Sequence, residues 1–234
     1  IWLALIRDSN TRRMLIEEAN NPEKIHGGGS AMVDLSRLYL LDAENPDYRV
    51  GPEGTLEAKA AQAGVTPVEY FLAETDRSDG SVMLSLPILN QDYEAIETMM
   101  ADEAIVMGLA DAGAHVGQIM DSSQPTYFLS HWVRDTGFFT LEEGVRRITS
   151  DTADLFGLVD RGRIVEGAYA DVNVIDFERL SLIGPEYVHD FPGGAGRYIQ
   201  RGTGYDATIV NGKVFMEDGE HTGELAGVTL RSTD

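Results

Sequence analysis

The spacing of apolar and polar residues changes character partway along this chain. Up to about residue 158, segments of helical pattern are separated by short apolar runs. Helices are predicted over residues 10–20, 55–63, 66–74, 93–101, 124–135, 140–149 and 151–156. The apolar runs predict strands over residues 33–41, 82–86 and 104–109. Beyond that point the polar–apolar alternation of residues 170–176 is typical of a strand, which places a boundary near Leu158.

Local motifs support several of these elements. Residues 66–69 (Thr-Pro-Val-Glu) and 140–143 (Thr-Leu-Glu-Glu) are capping boxes, in which a threonine and a glutamate three residues later cap each other's backbone amides. Gly157 is placed to end the helix over residues 151–156. The Asn211-Gly212 pair lies between apolar flanks and predicts a tight β-hairpin.

Asp111 is the first candidate for chemistry. Residues 82–109 follow a strand–helix–strand order with short connections, which predicts a βαβ unit with parallel strands. Asp111 comes just after the second strand, at the end where parallel α/β folds place their sites. Small residues and His115 follow it. The alternative is that Asp111 caps a turn or the next helix.

Composition narrows the classes of partner. The 234 residues, 43% of them hydrophobic, are enough for one large domain or two small ones. The net charge of −21 repels phosphate backbones and anionic lipid, so neither nucleic acid nor membrane is expected as a partner. The absence of cysteine excludes disulfides and thiolate metal sites. No apolar stretch reaches the ~18 residues of a membrane span, and we expect a cytoplasmic protein.

Three segments of the chain carry a family resemblance. They are residues 108–115 (GLADAGAH), residues 151–174 (DTADLFGLVDRGRIVEGAYADVNV) and residues 209–223 (IVNGKVFMEDGEHTG). The second contains G-x-I-x-x-G-x-x-A-D-V-x-V, and the third contains the Asn-Gly turn. Together they resemble the carboxyl-terminal part of the amidohydrolase superfamily, and within it the N-acyl-D-amino-acid deacylase (D-aminoacylase) group. The resemblance begins near residue 55 and runs to the end of the chain.

The resemblance implies an α/β fold, the C-terminal part of a (β/α)8 (TIM) barrel plus a small β-rich domain. Residues 1–54 would be an irregular insert, residues 55–158 the partial barrel, and residues 159–234 the β-domain. It also implies a zinc-dependent hydrolase of non-peptide C–N amide bonds, with a small-molecule N-acyl amino acid or related amide as substrate. Asp111 matches the family's aspartate that binds or neighbours the metal and moves a proton from water to the leaving nitrogen.

His115 lies four residues after Asp111, where related deacylases often have a histidine as well. It could contact the substrate or orient Asp111, and the alternative is a structural or solvent-facing histidine. The chain departs from the family in having Ala110-Asp111-Ala112 where Ser-Asp-Gly is usual. This difference affects the local hydrogen bonds rather than the carboxylate.

The larger departure concerns metal ligands. The chain lacks the His-x-His pair of the family, and its histidines are His26, His115, His131, His189 and His221. A catalytic zinc normally has three protein ligands, so we expect the other ligands upstream of this chain and little activity from the chain alone. Open edges of a partial barrel predict self-association. Two alternatives remain: a non-catalytic acidic α/β module acting by oligomerisation or partner binding, and a cyclic amidase of the same superfamily.

Overall fold

The computed structural model of the protein describes residues 1–21, 37–42, 46–49, 51–87, 89–90, 92–108 and 110–231. His26 and the first part of the strand predicted over residues 33–41 lie outside this range. Two compact units are present, Ile1–Ala95 and Ile96–Asp234. The domain boundaries expected near residues 55 and 158 stay predictions.

The helices are α1 (Trp2–Arg7), α2 (Ser9–Ala19), α3 (Leu56–Ala63), α4 (Pro67–Arg77), α5 (Tyr93–Ala101), α6 (Gln124–Tyr127), a π-helical segment (Phe128–Asp135), α7 (Leu141–Ile148) and α8 (Ser150–Leu155). Short 3₁₀ turns occur at Pro52–Gly54, Asp121–Ser123 and Pro192–Gly194. The strands are β1 (Tyr39–Leu41), β2 (Met83–Ser85), β3 (Val172–Ile175), β4 (Ser181–Leu182), β5 (Glu186–Val188), β6 (Arg197–Ile199), β7 (Gly202–Thr203), β8 (Tyr205–Val210), β9 (Lys213–Glu217) and β10 (Glu220–His221). Within the described ranges, no helix combines the length and the apolar character that crossing a bilayer requires.

The first unit is built around α1, α3 and α4. Ile6 and Leu56 are fully buried, and Leu72 of α4 is nearly so. The predicted capping box opens α4: the Thr66 backbone N–H donates to Glu69 Oε2 at 2.8 Å, and the Glu69 N–H donates back to Thr66 Oγ1 at 3.3 Å. This confirms the helix start that the sequence predicted.

The predicted βαβ unit is not formed, and this corrects the expectation of parallel barrel strands. β2 pairs antiparallel with β1, with Leu84 opposite Leu40. Residues 105–108, in the apolar run expected to be the second strand, have no regular structure. A strand requires a neighbour with free backbone groups, and no described strand lies beside this run. The architecture is therefore mixed α/β, without an evident barrel in the described residues.

The second unit packs its helices through an aromatic cluster. Phe128, Leu129, Trp132 and Val133 are buried. Their segment is π-helical rather than α-helical: the Thr136 N–H reaches back to the His131 carbonyl at 2.9 Å. The Phe128 and Phe139 rings lie 5.6 Å apart.

Arg134, at the end of the π-helical segment, holds the chain that follows β3. Its guanidinium donates to the carbonyls of Phe177 at 3.0 Å and Leu180 at 2.5 Å, and more weakly to that of Glu178. Leu180 is fully buried. The arginine therefore has a structural role: it joins the π-helical segment to the segment that follows β3.

Gly204, between β7 and β8, makes the closest backbone approach to Leu180. Its φ is +86°, and a Cβ added there would lie 2.7 Å from the Leu180 Cα and 2.9 Å from the Asp176 carbonyl oxygen. The Asp176 N–H donates to the Gly204 carbonyl at 2.8 Å. Glycine is needed here both for its left-handed backbone and for the lack of a side chain.

The carboxyl-terminal strands form an antiparallel sheet in the order β10-β9-β8-β3. The predicted hairpin joins β8 to β9 through Asn211 and Gly212, whose φ angles of +47° and +77° suit a two-residue turn. The strand expected over residues 170–176 is β3, at one edge of this sheet. An edge strand offers unpaired backbone groups, and self-association stays a prediction.

Candidate functional site

Asp111 lies in a loop of consecutive turns, residues 110–120, which precedes the 3₁₀ turn before α6. The Ala114 N–H donates to the Asp111 carbonyl at 3.1 Å, and the Gln118 N–H donates to the His115 carbonyl at 2.7 Å. Asp111 and His115 therefore open two successive turns, and both residues are exposed. His115 has a left-handed backbone, with φ of +47°. The structure brings the two predicted site residues into one loop, but Asp111 does not follow a strand.

Asp121 fixes the backbone of Asp111. The Asp111 N–H donates to Asp121 Oδ2 at 3.1 Å, across the loop. Asp121 and Ser123 are of residue types that often cap helices, but neither side chain makes a capping hydrogen bond here. Asp121 instead closes the loop, because its carboxylate accepts from the residue at the loop's start.

Ser123 and Gln200 connect this loop to β6. The Ser123 hydroxyl donates to Gln200 Oε1 at 2.5 Å, and Gln200 Nε2 donates to the Ile183 carbonyl at 3.1 Å. Both Ser123 and Gln200 are half-buried. A second attachment comes from the Tyr198 N–H, which donates to the Val116 carbonyl at 2.9 Å. The loop is therefore held at two points by residues in or next to one short strand.

The β5–β6 hairpin carries an aromatic group beside the loop. The Tyr187 and Tyr198 rings meet edge to face at 4.9 Å, and Tyr187 meets His189 at 5.3 Å. The Tyr187 hydroxyl lies 4.0 Å from where a Cβ of Gly117 would be. Tyr187 remains partly exposed, so the hairpin presents an aromatic surface next to the His115 turn.

An ion pair braces the tip of this hairpin. Arg197 donates to both carboxylate oxygens of Asp190, at 2.8 Å and 2.6 Å. These hydrogen bonds hold the pKa of Asp190 below its ordinary value. The Arg197 guanidinium also lies 5.4 Å from the Phe191 ring centre. The tip is therefore held by an ion pair and by a cation–π contact.

The apolar run before Asp111 lines a small hollow next to the aromatic core. Arg147 lies over the Phe139 ring at 4.7 Å, and no hydrogen-bond partner of its buried Nε–H is found in the described residues. The hollow's lining is formed by Met100, Glu103, Ile105, Val106, Met107, Phe128, Phe139, Arg147 and Asp151. Asp111 does not belong to this lining, so the hollow does not extend the candidate site.

The described residues do not assemble a metal site. No group of three or more His, Asp or Glu side chains suited to one ion occurs within the described ranges. His131 is buried, with its ring tilted against that of Tyr127 and edge to face with that of Trp132, while His189 and His221 lie in the β-region. Asp111 with His115 falls short of the three protein ligands typical of catalytic zinc, so the residues present do not fit a complete zinc site.

Sequence reasoning missed Ser123 as a loop anchor, and it missed Gln200 and Tyr198 altogether. Ser123 lies just before the helix predicted over residues 124–135, but its hydrogen-bond partner is 77 positions away along the chain. No local motif marks such a pair. Asp121 also precedes that helix, where a carboxylate resembles a helix cap, so the sequence does not mark its hydrogen bond to the Asp111 amide.

Comparison with known proteins gives a family match. A family model described as "Amidohydrolase family" matches residues 54–216. A D-aminoacylase of Alcaligenes xylosoxydans xylosoxydans is 32% identical over 105 residues, covering 45% of this chain and 20% of that protein. A dihydroorotase of Bacillus cereus (strain AH820) is 28% identical over 140 residues, covering 53% of this chain and 32% of that protein. The chain thus spans a third or less of the length of these relatives.

A solved structure of a D-aminoacylase mutant in complex with CuCl2 also resembles this chain. The TM-score is 0.47 at 24% identity, over 83% of this chain and 40% of that one. A similarity of this size does not define a common fold. The assignment to a family therefore depends on the match of the family model to residues 54–216. This range contains the Asp111 loop, the motif over residues 162–174 and the Asn211-Gly212 turn.

Proposed function

Because this chain belongs to the amidohydrolase family, we propose that it is part of a metal-dependent hydrolase of non-peptide C–N amide bonds, of the N-acyl-D-amino-acid deacylase type. The observation that carries the proposal is the family match over residues 54–216, which contains Asp111 and His115. The D-aminoacylase relative supports the substrate class, a small N-acyl amino acid.

Asp111 is the proposed acid–base residue. A carboxylate can accept a proton from water as it attacks an amide carbon and return that proton to the leaving nitrogen. Its exposure and its place in a loop whose backbone is fixed by Asp121 suit a group that must meet a substrate. His115, at the start of the next turn, is the proposed substrate contact.

Asp111 is also the proposed contribution of this chain to a metal site, with zinc as the expected ion. The remaining ligands would come from outside the described residues. The relatives are several times longer than their match to this chain, and a protein of their length has room for those ligands. The chain alone is therefore expected to have little activity.

A second candidate is the opening of a cyclic amide. It is favoured by the dihydroorotase relative, whose match to this chain is longer than that of the D-aminoacylase. The proposed role of Asp111 is the same for both reactions, because each breaks an amide C–N bond. The two candidates differ in the substrate that is turned over.

A chimera tests the function. Residues 55–234 of this chain would replace the corresponding part of the Alcaligenes D-aminoacylase, and hydrolysis of N-acetyl-D-amino acids and of dihydroorotate would be measured with added zinc. Activity that is abolished by Asp111→Asn and removed by a chelator supports the proposal. Preference for one substrate decides between the two candidates.

Asp218→Asn is the matched control. Asp218 is an exposed turn residue with φ of +48°, a conformation that asparagine adopts readily. The control should retain full activity. An Asp111→Asn chimera as active as the control would contradict the role of Asp111, and robust zinc-dependent turnover by the 234-residue chain alone would contradict the need for further ligands.

A further inference from the structure

Two residues in and next to β6 hold the Asp111 loop, and the family pattern assigns no role to them. Tyr198 is in β6 and Gln200 follows it, and these two residues hold the loop at Val116 and Ser123. Residues two apart along a strand face the same side of it. Tyr198 contacts the loop through its backbone N–H, whereas Gln200 does so through its side chain. Residues in and next to β6 therefore support the loop at its middle, Val116, and just beyond its end, at Ser123.

The path from Gln200 to Asp111 is short and made of hydrogen bonds. Gln200 accepts from the Ser123 hydroxyl, and Ser123 ends the 3₁₀ turn that Asp121 begins. The Asp121 carboxylate in turn accepts the Asp111 N–H. A shift of Ser123 would therefore move the group that fixes the Asp111 backbone.

Gln200 is suited to this task because both ends of its amide are engaged. Its oxygen accepts from Ser123, and its nitrogen donates to the Ile183 carbonyl just after β4. The amide cannot rotate to release Ser123 without losing the bond to Ile183. The half-buried setting of the pair reduces competition from water.

We propose that Ser123 and Gln200 are a pair of positioning residues, which set the orientation of the Asp111 carboxylate by fixing the loop that carries it. The proposal rests on the proposed function of Asp111. The two residues act through one hydrogen bond between positions far apart in the sequence. Removal of either partner should therefore affect the Asp111 loop, and removal of the second after the first should add little.

Amide hydrogen exchange in the 234-residue chain tests the pairing. Ser123→Ala and Gln200→Ala should each speed exchange of the Asp111 amide about fivefold, the effect of one hydrogen bond, and the double variant should add little more. Amides of β8 should keep their rates. Ser122→Ala, at the exposed neighbouring serine, should change nothing, and Ser123→Thr should restore slow exchange because it keeps the hydroxyl.

Kinetics of the chimera that tests the function give the second measurement. Gln200→Ala should lower kcat about tenfold while KM changes less than twofold, since a misplaced acid–base group affects the chemical step. Additive exchange effects, a failure of Ser123→Thr, or an unchanged kcat would each overturn the proposal. Full activity of Asp111→Asn would instead refute the proposed function and leave the exchange result standing.

Discussion

Replacing Gly204 by alanine should strongly destabilise the second unit, and the size of the effect can be worked out from the structure. The new Cβ would have to occupy space 2.7 Å from backbone atoms of Leu180 and 2.9 Å from the Asp176 carbonyl oxygen. These neighbours are backbone atoms beside a fully buried side chain, so they cannot turn aside as a flexible side chain would.

Two costs combine at this position. A left-handed backbone costs a residue with a Cβ about 1–2 kcal/mol. Overlap in a packed interior costs typically about 1–3 kcal/mol more. We therefore expect Gly204→Ala to lower the free energy of unfolding by about 2–5 kcal/mol.

Gly212→Ala separates the two costs. Gly212 has φ of +77°, close to the value at Gly204, but no heavy atom lies within 4 Å of its added Cβ. The substitution should cost only the backbone term, about 1–2 kcal/mol. The difference between the two variants then measures the overlap alone.

Urea unfolding followed by the fluorescence of Trp132 provides the assay. Trp132 is 5% exposed and belongs to the second unit, whereas Trp2 lies in the first, so a Trp2→Phe background isolates the signal. Both variants should shift the midpoint without changing the slope. Equal losses for Gly204→Ala and Gly212→Ala would refute the close approach between the β7–β8 connection and Leu180.

Two further predictions concern single contacts. Arg134→Ala should lower the free energy of unfolding by about 2–3 kcal/mol, because carbonyls beside the buried Leu180 lose a charged donor. Arg134→Lys should recover less than half of this loss, since an ammonium cannot reproduce the forked donors of a guanidinium. Full recovery by lysine, measured by the same urea midpoint, would contradict this. Hydrogen bonds from the Thr140 backbone and hydroxyl lower the pKa of Glu143 from its ordinary 4.5. The ionised carboxylate therefore stabilises the fold above that pH. This stabilisation is lost as the pH falls through the lower pKa of the folded state. Glu143→Gln should weaken the acid-induced fall of the midpoint, and an unchanged pH profile would argue against it.

The sequence predicted best those features whose partners are close along the chain. The capping box joins Thr140 and Glu143, which are three positions apart, and is present as predicted. The Asn211-Gly212 turn likewise depends on the backbone preferences of two adjacent residues. In each case the interacting groups are within reach before any tertiary structure forms.

Features that depend on distant partners were not accessible in this way. The run Ile105–Met107 is apolar enough for a strand, but a strand exists only where another offers hydrogen bonds. The π-helical segment has buried Phe128 and Trp132 at a spacing that also fits an α-helix. The hydrogen bond between Ser123 and Gln200 joins residues with no sequence relation. Residue type alone therefore identified Asp111 as a candidate, but not the contacts that hold its loop.

The turn at Asn211 has a chemical consequence for ageing of the protein. Asparagine followed by glycine is especially prone to deamidation, because the next backbone nitrogen can attack the unhindered side-chain carbonyl. Here the side-chain oxygen accepts from Arg161 at 3.2 Å, and its nitrogen donates to the Ala226 carbonyl at 2.5 Å. These bonds restrain the rotation that attack requires, so loss of ammonia should be slow in the intact hairpin and rapid once the carboxyl-terminal segment detaches.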